Sequence, residues 1–238
     1  MIIPTRARPQ ELGRCLKALA WQDTQVPFEV VVVDDGTEPS LALPAEAPRN
    51  TRLIRRARGC GPAAARNLGA ANARGDVLVF TDDDTIPCVR WLGAVADHLA
   101  VHPDHLGAEG PTESPPYDPL TEHSVDSRVP GAYLTCNIAY RKSAFEGLGG
   151  FYEGFPYPHC EDLDLGFRLA RIGNVGFAPA MKVVHPPRSM SVAQEMRRAR
   201  IFSSEVLLRA RHPGLFPDYG WLPLRMRPVV GLVRGPLA

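Results

Sequence analysis

Several things are scarce in this chain, and each scarcity removes a class of function. Cys15, Cys60, Cys88, Cys136 and Cys160 are odd in number, scattered and without metal-ligand spacing. That excludes a zinc-ribbon or disulfide scaffold and predicts reduced thiols in a cytoplasmic protein. No stretch approaches the roughly 18 apolar residues of a membrane span. No signal peptide precedes the strand-like Ile2-Ile3-Pro4, so a soluble location is expected. A net charge of +1 over 238 residues gives the whole molecule no pull toward nucleic acid, which is not expected as a partner. There is no internal repeat, no Walker A motif and no dinucleotide fingerprint.

Charge is present but unevenly placed. Residues 1–185 hold 18 Lys and Arg against 23 Asp and Glu, whereas residues 186–238 hold nine against three. A basic tail on an acidic domain suggests an anionic surface, a partner or its own domain as the docking site. Arg197, Arg198 and Arg200 with Ile201, Phe202, Val206, Leu207 and Leu208 could form an amphipathic helix lying on the inner face of a membrane. A solvated basic helix face explains the same pattern equally well.

Strand-like and helix-like periods alternate along the first half. Strands are expected at 1–3, 29–33, 53–54 and 77–80, and helices at 9–21, 62–72 and 91–100. That alternation predicts a right-handed, largely parallel βαβ sheet. Residues 111–130 lack periodicity and read as a long loop. Further on, a strand is expected at 133–140, short helical segments at 143–148 and 162–172, a strand at 183–184, and one long helix at 189–211. Beyond Pro213 the sequence is irregular and rich in Pro and Arg.

The apolar run VLVF (77–80) leads directly into Asp82-Asp83-Asp84. Three adjacent carboxylates repel unless a cation shares them, and hard oxygen ligands suit Mg²⁺ or Mn²⁺. Taken alone, the triplet is more simply a solvated acidic loop. Asp34-Asp35 closes another buried strand, and ligands of open α/β sheets bind outside the carboxyl ends of strands. The two acidic strand ends therefore converge on one crevice, although Asp-Gly at 35–36 is also an ordinary turn. Gly59-Cys60-Gly61 opens a helix whose N-terminus favours an anion, with Arg66 one turn inside. Glu161, Asp162 and Asp164 exceed what a helix cap needs. They follow a Gly/aromatic stretch, 149–155, suited to touching a sugar, and one of them could serve as a general base. His185 closes a late strand; a lone His is more often structural than a ligand.

In order along the chain stand IIPTxxR (2–8), VVVVDDG (30–36), ARNLG (65–69), FTDDDTIP (80–87), NxAYR (137–141), LGGF (148–151), EDLDLGFRL (161–169) and VVH (183–185). The ordered set resembles family 2 glycosyltransferases over about residues 1–190. The resemblance implies an α/β GT-A fold: a Rossmann-like, mostly parallel central sheet flanked by helices. Residues 1–188 would form this domain, with 1–100 as the nucleotide-sugar half and 101–188 as the acceptor half. Residues 189–238 would be a basic helical extension.

It further implies metal-dependent, inverting transfer from a nucleoside-diphosphate sugar to an acceptor hydroxyl on a glycan, a lipid-linked molecule or a small molecule. On this resemblance Asp82 and Asp84, with His185, hold Mg²⁺ or Mn²⁺, and Asp83 lies near the ribose. Asp34 or Asp35 contacts the base, and Pro4, Thr5, Arg8, Gly61 and Arg66 line the nucleotide pocket. Asp162 is the general base beside Glu161, and Asn137, Gly149, Gly150 and Phe151 lie on the acceptor side. The chain starts inside its first strand, so a frayed sheet edge or a start upstream of Met1 is expected. The rival readings are a nucleotidyltransferase and a non-catalytic nucleotide-sugar-binding module. The loop PTRARPQ lacks the glycines that the first would need, and the acids that the second would be expected to lose are present.

Overall fold

A computed structural model describes residues 1–216. In chain order its elements are β1 (Ile2–Thr5), α1 (Pro9–Ala20), β2 (Val30–Asp34), β3 (Thr51–Arg55), α2 (Pro62–Asn72), β4 (Val77–Phe80), β5 (Ile86–Pro87) and α3 (Trp91–Val101). There follow β6 (Gly107–Glu109), β7 (Thr112–Glu113), β8 (Glu122–His123), β9 (Ile138–Arg141), α4 (Lys142–Gly147), α5 (Glu161–Leu169), β10 (Val175–Phe177), β11 (Val183–Val184), β12 (Arg188–Ser189), α6 (Val192–Arg198) and α7 (Ile201–Arg211).

Seven strands form the central sheet in the order β10-β6-β9-β4-β1-β2-β3. Only β9 runs against the others, antiparallel to both β4 and β6. The β-branched run of β2 is buried throughout, as a strand covered on both faces must be. Alternate residues divide between the two faces. Ile3, Val30, Val32 and Val79 pack with Leu12, Leu16, Trp91 and Val95 of α1 and α3. Ile2, Val31, Val33 and Phe80 pack with Ala65, Phe145, Phe151 and Leu165 on the other side. Helix α2 sits so close to β1 that a Cβ on Gly69 would lie 2.5 Å from Ile2 Cγ2.

The structure changes several expectations. Strand β1 is interior rather than frayed: it pairs with β2 and β4, and the Met1 amino group donates to the Glu29 carbonyl at 2.8 Å. The strand expected at 133–140 is confined to 138–141, because Tyr133 has φ +48 and interrupts extended backbone. Strands β6 and β10 were not anticipated, and the 111–130 loop carries the short β7 and β8. The long helix at 189–211 is two helices, α6 and α7, separated at 199–200.

The apolar residues of the extension divide between the interior and the surface, with Phe202 and Val206 of α7 exposed. Ile201 and Leu208 of α7 are buried, whereas Val192 and Met196 of α6 are exposed. The Ser204 hydroxyl donates to the Tyr157 carbonyl at 2.8 Å, fixing α7 to the loop before α5. Of the expected extension, 217–238 lies outside the described residues. No helix among the described residues is long and apolar enough to cross a membrane.

Candidate active site

The parallel strands β1, β2 and β4 all end at one edge of the sheet, and their ends deliver Thr5, Asp34-Asp35 and Asp82–Asp84 to it. Asp83 is buried, accepting from Thr5 Oγ1 at 2.7 Å and from Arg8 at 3.1 Å. Burial, only partly offset by Arg8, raises its pKa to about 6. Pro4 is buried beside Thr5, so the first loop is tied to the acidic turn.

Asp84 meets a crowd of cationic groups. Arg8 and Arg188 reach Oδ2 at 3.1 and 3.4 Å, and His185 Nε2 lies 3.6 Å from Oδ1. His185 is itself buried and steadied by Ser124. The 3.6 Å between Asp84 and His185 fits two neighbouring ligands of one cation, and the oxygen–imidazole set suits a divalent metal. Asp82 faces elsewhere: its Oδ1 accepts from Arg66 Nη2 at 2.6 Å. The three expected metal ligands are therefore near one another without converging on a single point.

Arg66 joins the two halves of the chain. Its other terminal nitrogen donates to Glu161 Oε1 at 3.1 Å, 95 residues away in sequence. Burial opposes the charge, but Asp82 and Glu161 outweigh burial and raise the Arg66 pKa. Beside Glu161, Asp162 has no cation within ion-pair distance among the described residues; the Leu163 N–H donates to it at 2.8 Å. Burial first, and then the Glu161 charge, raises the Asp162 pKa to about 7. The turn into α5 begins at Cys160, whose φ of +73 is left-handed, a costly conformation that tends to occur where geometry matters.

Other expected residues play supporting parts. Asp34 is fully buried and accepts from the Thr37 N–H at 3.0 Å, as a turn former does. Asp35 accepts from the N–H groups of Cys60 and Gly61 at 3.0 and 2.8 Å. The anion at the start of α2 is thus the protein's own carboxylate. Asn137 and Phe151, expected on the acceptor side, are both buried. The Asn137 amide accepts from Trp91 Nε1 and donates to the carbonyls of Pro111 and Met181. Phe151 packs edge-on to Phe80 and Phe145. Gly149 and Gly150 have φ of +75 and +70, and the Gly150 carbonyl accepts from Arg168.

Sequence reasoning overlooked Arg188 and the anchor of α5. Asp164, with no exposure, accepts from Arg168 at 2.9 Å and from Arg211 at 2.7 Å, and lies 2.9 Å from His212 Nε2. Burial alone would raise its pKa, but these partners lower it. The helical spacing of Asp164 and Arg168 was a usable signal; Arg211 and His212 left none. A cavity of about 550 Å³ lined by Val26, Phe28, Leu92, Val95 and Leu99 opens at the opposite end of the sheet, remote from the acids.

A sequence profile for Glycosyl transferase family 2 matches residues 1–108. The pre-mycofactocin glycosyltransferase of Mycobacterium tuberculosis is 30% identical over 90% of this chain and 48% of its own length. The chain belongs to glycosyltransferase family 2. It spans about half of that mycobacterial relative. The hyaluronan synthase of Pasteurella multocida is likewise 30% identical, over 75% of this chain and 19% of its own length.

Solved structures support the GT-A fold of this family 2 chain. A mannosyltransferase from Pyrobaculum calidifontis in complex with GDP-Man and Mn²⁺ superposes with a TM-score of 0.65 at 18% identity, covering 90% of this chain and 63% of that one. S. aureus TarS 1–349 in complex with UDP-GlcNAc superposes with a TM-score of 0.66 at 17% identity, covering 88% and 65%.

Proposed function

We propose that this family 2 chain moves a sugar from a nucleoside-diphosphate sugar to an acceptor hydroxyl, inverting the anomeric centre. The observation that carries this reading is the Arg66 bridge. It ties Asp82, in the turn suited to a diphosphate, to Glu161, which neighbours Asp162, a carboxylate with no cation within ion-pair distance among the described residues. The neighbours crystallised with GDP-Man and Mn²⁺ or with UDP-GlcNAc support a nucleotide-sugar donor by analogy of fold.

Asp162 is the general base. A carboxyl whose pKa is about 7 is ionised in part at neutral pH yet basic enough to take the acceptor's proton. The acceptor oxygen then attacks the anomeric carbon, the bond to the diphosphate breaks with its electron pair leaving on the diphosphate, and Asp162 holds the proton. Asp84 and His185 are the residues that would hold Mg²⁺ or Mn²⁺, which would supply charge neutralisation to the departing diphosphate. Arg8 and Arg188, half-exposed on Asp84, can turn to the same phosphates. Thr5 and Asp83 hold the first loop against the nucleotide, and Arg66 holds Glu161 in place next to the base.

The test is donor binding and turnover across UDP-, dTDP- and GDP-sugars with Mn²⁺. Asp84→Ala should lose the metal-dependent part of binding. Asp162→Asn should bind donor normally and turn over slowly. Failure of every nucleotide sugar to bind, at any Mn²⁺ concentration, would sink the reading.

A further inference from the structure

Three histidines gather at the end of the sheet opposite the acids. His98 and His102 are four residues apart at the C-terminal end of α3, on one face of the helix. His105 follows two residues before β6, at the amino end of the parallel strands. The His102 and His105 rings stack at 4.5 Å between centroids, inclined by 10°, and His98 lies 4.8 and 5.2 Å from them. One ligand atom from each of His102, Asp104 and His105 falls within 4.8 Å of the others. Among the described residues this is the group of three metal-capable side chains that does converge, which Asp82, Asp84 and His185 do not.

The cluster is built rather than incidental. Arg141 fixes the backbone around it, donating from Nε to the His105 carbonyl at 2.8 Å and from Nη2 to the carbonyls of Leu99 and Pro103 at 3.2 and 3.1 Å. Glycine at position 176 of β10 makes room for the rings: a Cβ there would lie 2.2 Å from His98 Nε2 and 2.4 Å from His105 Nδ1. Those two nitrogens are 3.1 Å apart. With the proton on His105 Nδ1 donated to His98 Nε2, His105 keeps its Nε2 lone pair. A ring fixed by a hydrogen bond through one nitrogen and free at the other is the usual state of a metal-ligating histidine.

We propose that His102, Asp104 and His105 bind a divalent transition-metal ion of the Zn²⁺ or Ni²⁺ type, with His98 as a positioning residue. Two imidazoles and a carboxylate suit these ions better than Mg²⁺ or Ca²⁺. Three protein ligands leave a fourth tetrahedral position for water. Asp104 is exposed and His102 and His105 are half-buried, so the ion enters directly from solvent. Bound there, it would fasten the end of α3 to the start of β6.

The test is calorimetric titration of Zn²⁺ into the full chain near neutral pH. Wild type and Asp84→Ala should each bind one equivalent at this site. His102→Gln with His105→Gln should lose it, and His98→Phe should weaken it about 10- to 100-fold, as removal of an outer-shell partner does. The metal-free melting temperature of the double variant should match wild type; if that variant does not fold, Asp104→Asn at an exposed position replaces it and should weaken binding. The proposal fails if Zn²⁺ binding is absent, if it survives the ligand changes, or if Asp84→Ala removes the one equivalent. In those cases the three rings are stacked and hydrogen-bonded imidazoles only, and any Zn²⁺ belongs to the acids.

Discussion

Asp82–Asp84 and Glu161–Asp164 each place three carboxylates in a short turn, and the fold treats them alike in two respects and differently in the third. In each, one acid is buried for structure: Asp83 under Thr5 and Arg8, Asp164 under Arg168, Arg211 and His212. In each, one acid shares the guanidinium of Arg66. The remaining members part company. Asp84 is surrounded by Arg8, Arg188 and His185, whereas Asp162 has no cation of its own among the described residues. A turn dense in cationic groups is suited to an anionic ligand and its metal, and a bare carboxylate is suited to proton transfer. Equal numbers of acids in the sequence therefore do not mean equal tasks.

The largest expected effect sharpens that difference. Asp162→Asn should lower kcat by about 10²- to 10⁴-fold with donor affinity unchanged, and should abolish the rise of wild-type activity through about pH 7, measured as a pH–rate profile. An unaltered profile would break the contrast between the two turns. Asp164→Asn, two residues on, should act on stability instead. Removing one partner of a buried ionic cluster costs roughly 3–5 kcal/mol, readable by urea unfolding. Catalytic loss without destabilisation would put Asp164 in the wrong group.

Next comes pH. Folded Asp83 and Asp162 hold their protons to about 6 and about 7, above the usual 3.8, because burial disfavours the charge. Between about pH 4 and those values the folded chain binds protons that the unfolded chain has released, so stability falls as pH rises and levels off above them. Asp83→Asn should flatten the lower part of that slope in unfolding titrations. The smallest effect on stability belongs to Asp84→Ala. Its arginine partners are about 40% exposed, so the loss should stay below about 1 kcal/mol in the same experiment.

The two halves of the chain also differ in how much of them could be read beforehand. Strand β4 and helix α2 lie where the periodicity puts them, because buried β-branched runs and Ala-rich helices are locally encoded. Strands β6 and β10 are three residues long and include glycine; only their pairing with each other and with β9 makes them strands. In the same way the acids of the site stood out as residue types, but their partners did not. Arg66 meets Glu161 across 95 residues and Arg211 meets Asp164 across 47, distances at which local sequence carries no signal. Asn137 and Phe151 belong to motifs that resemble an acceptor wall, and their burial is a property that the motifs alone do not carry.

The anchoring of α7 on α5 bears on where the protein can be cut. A fragment ending at 188 keeps every acid of both turns but discards Arg211 and His212, leaving Asp164 sealed in the interior with Arg168 as its remaining counter-charge. A fragment extended through His212 retains all three partners of Asp164, and it should therefore unfold at higher urea than one ending at 188.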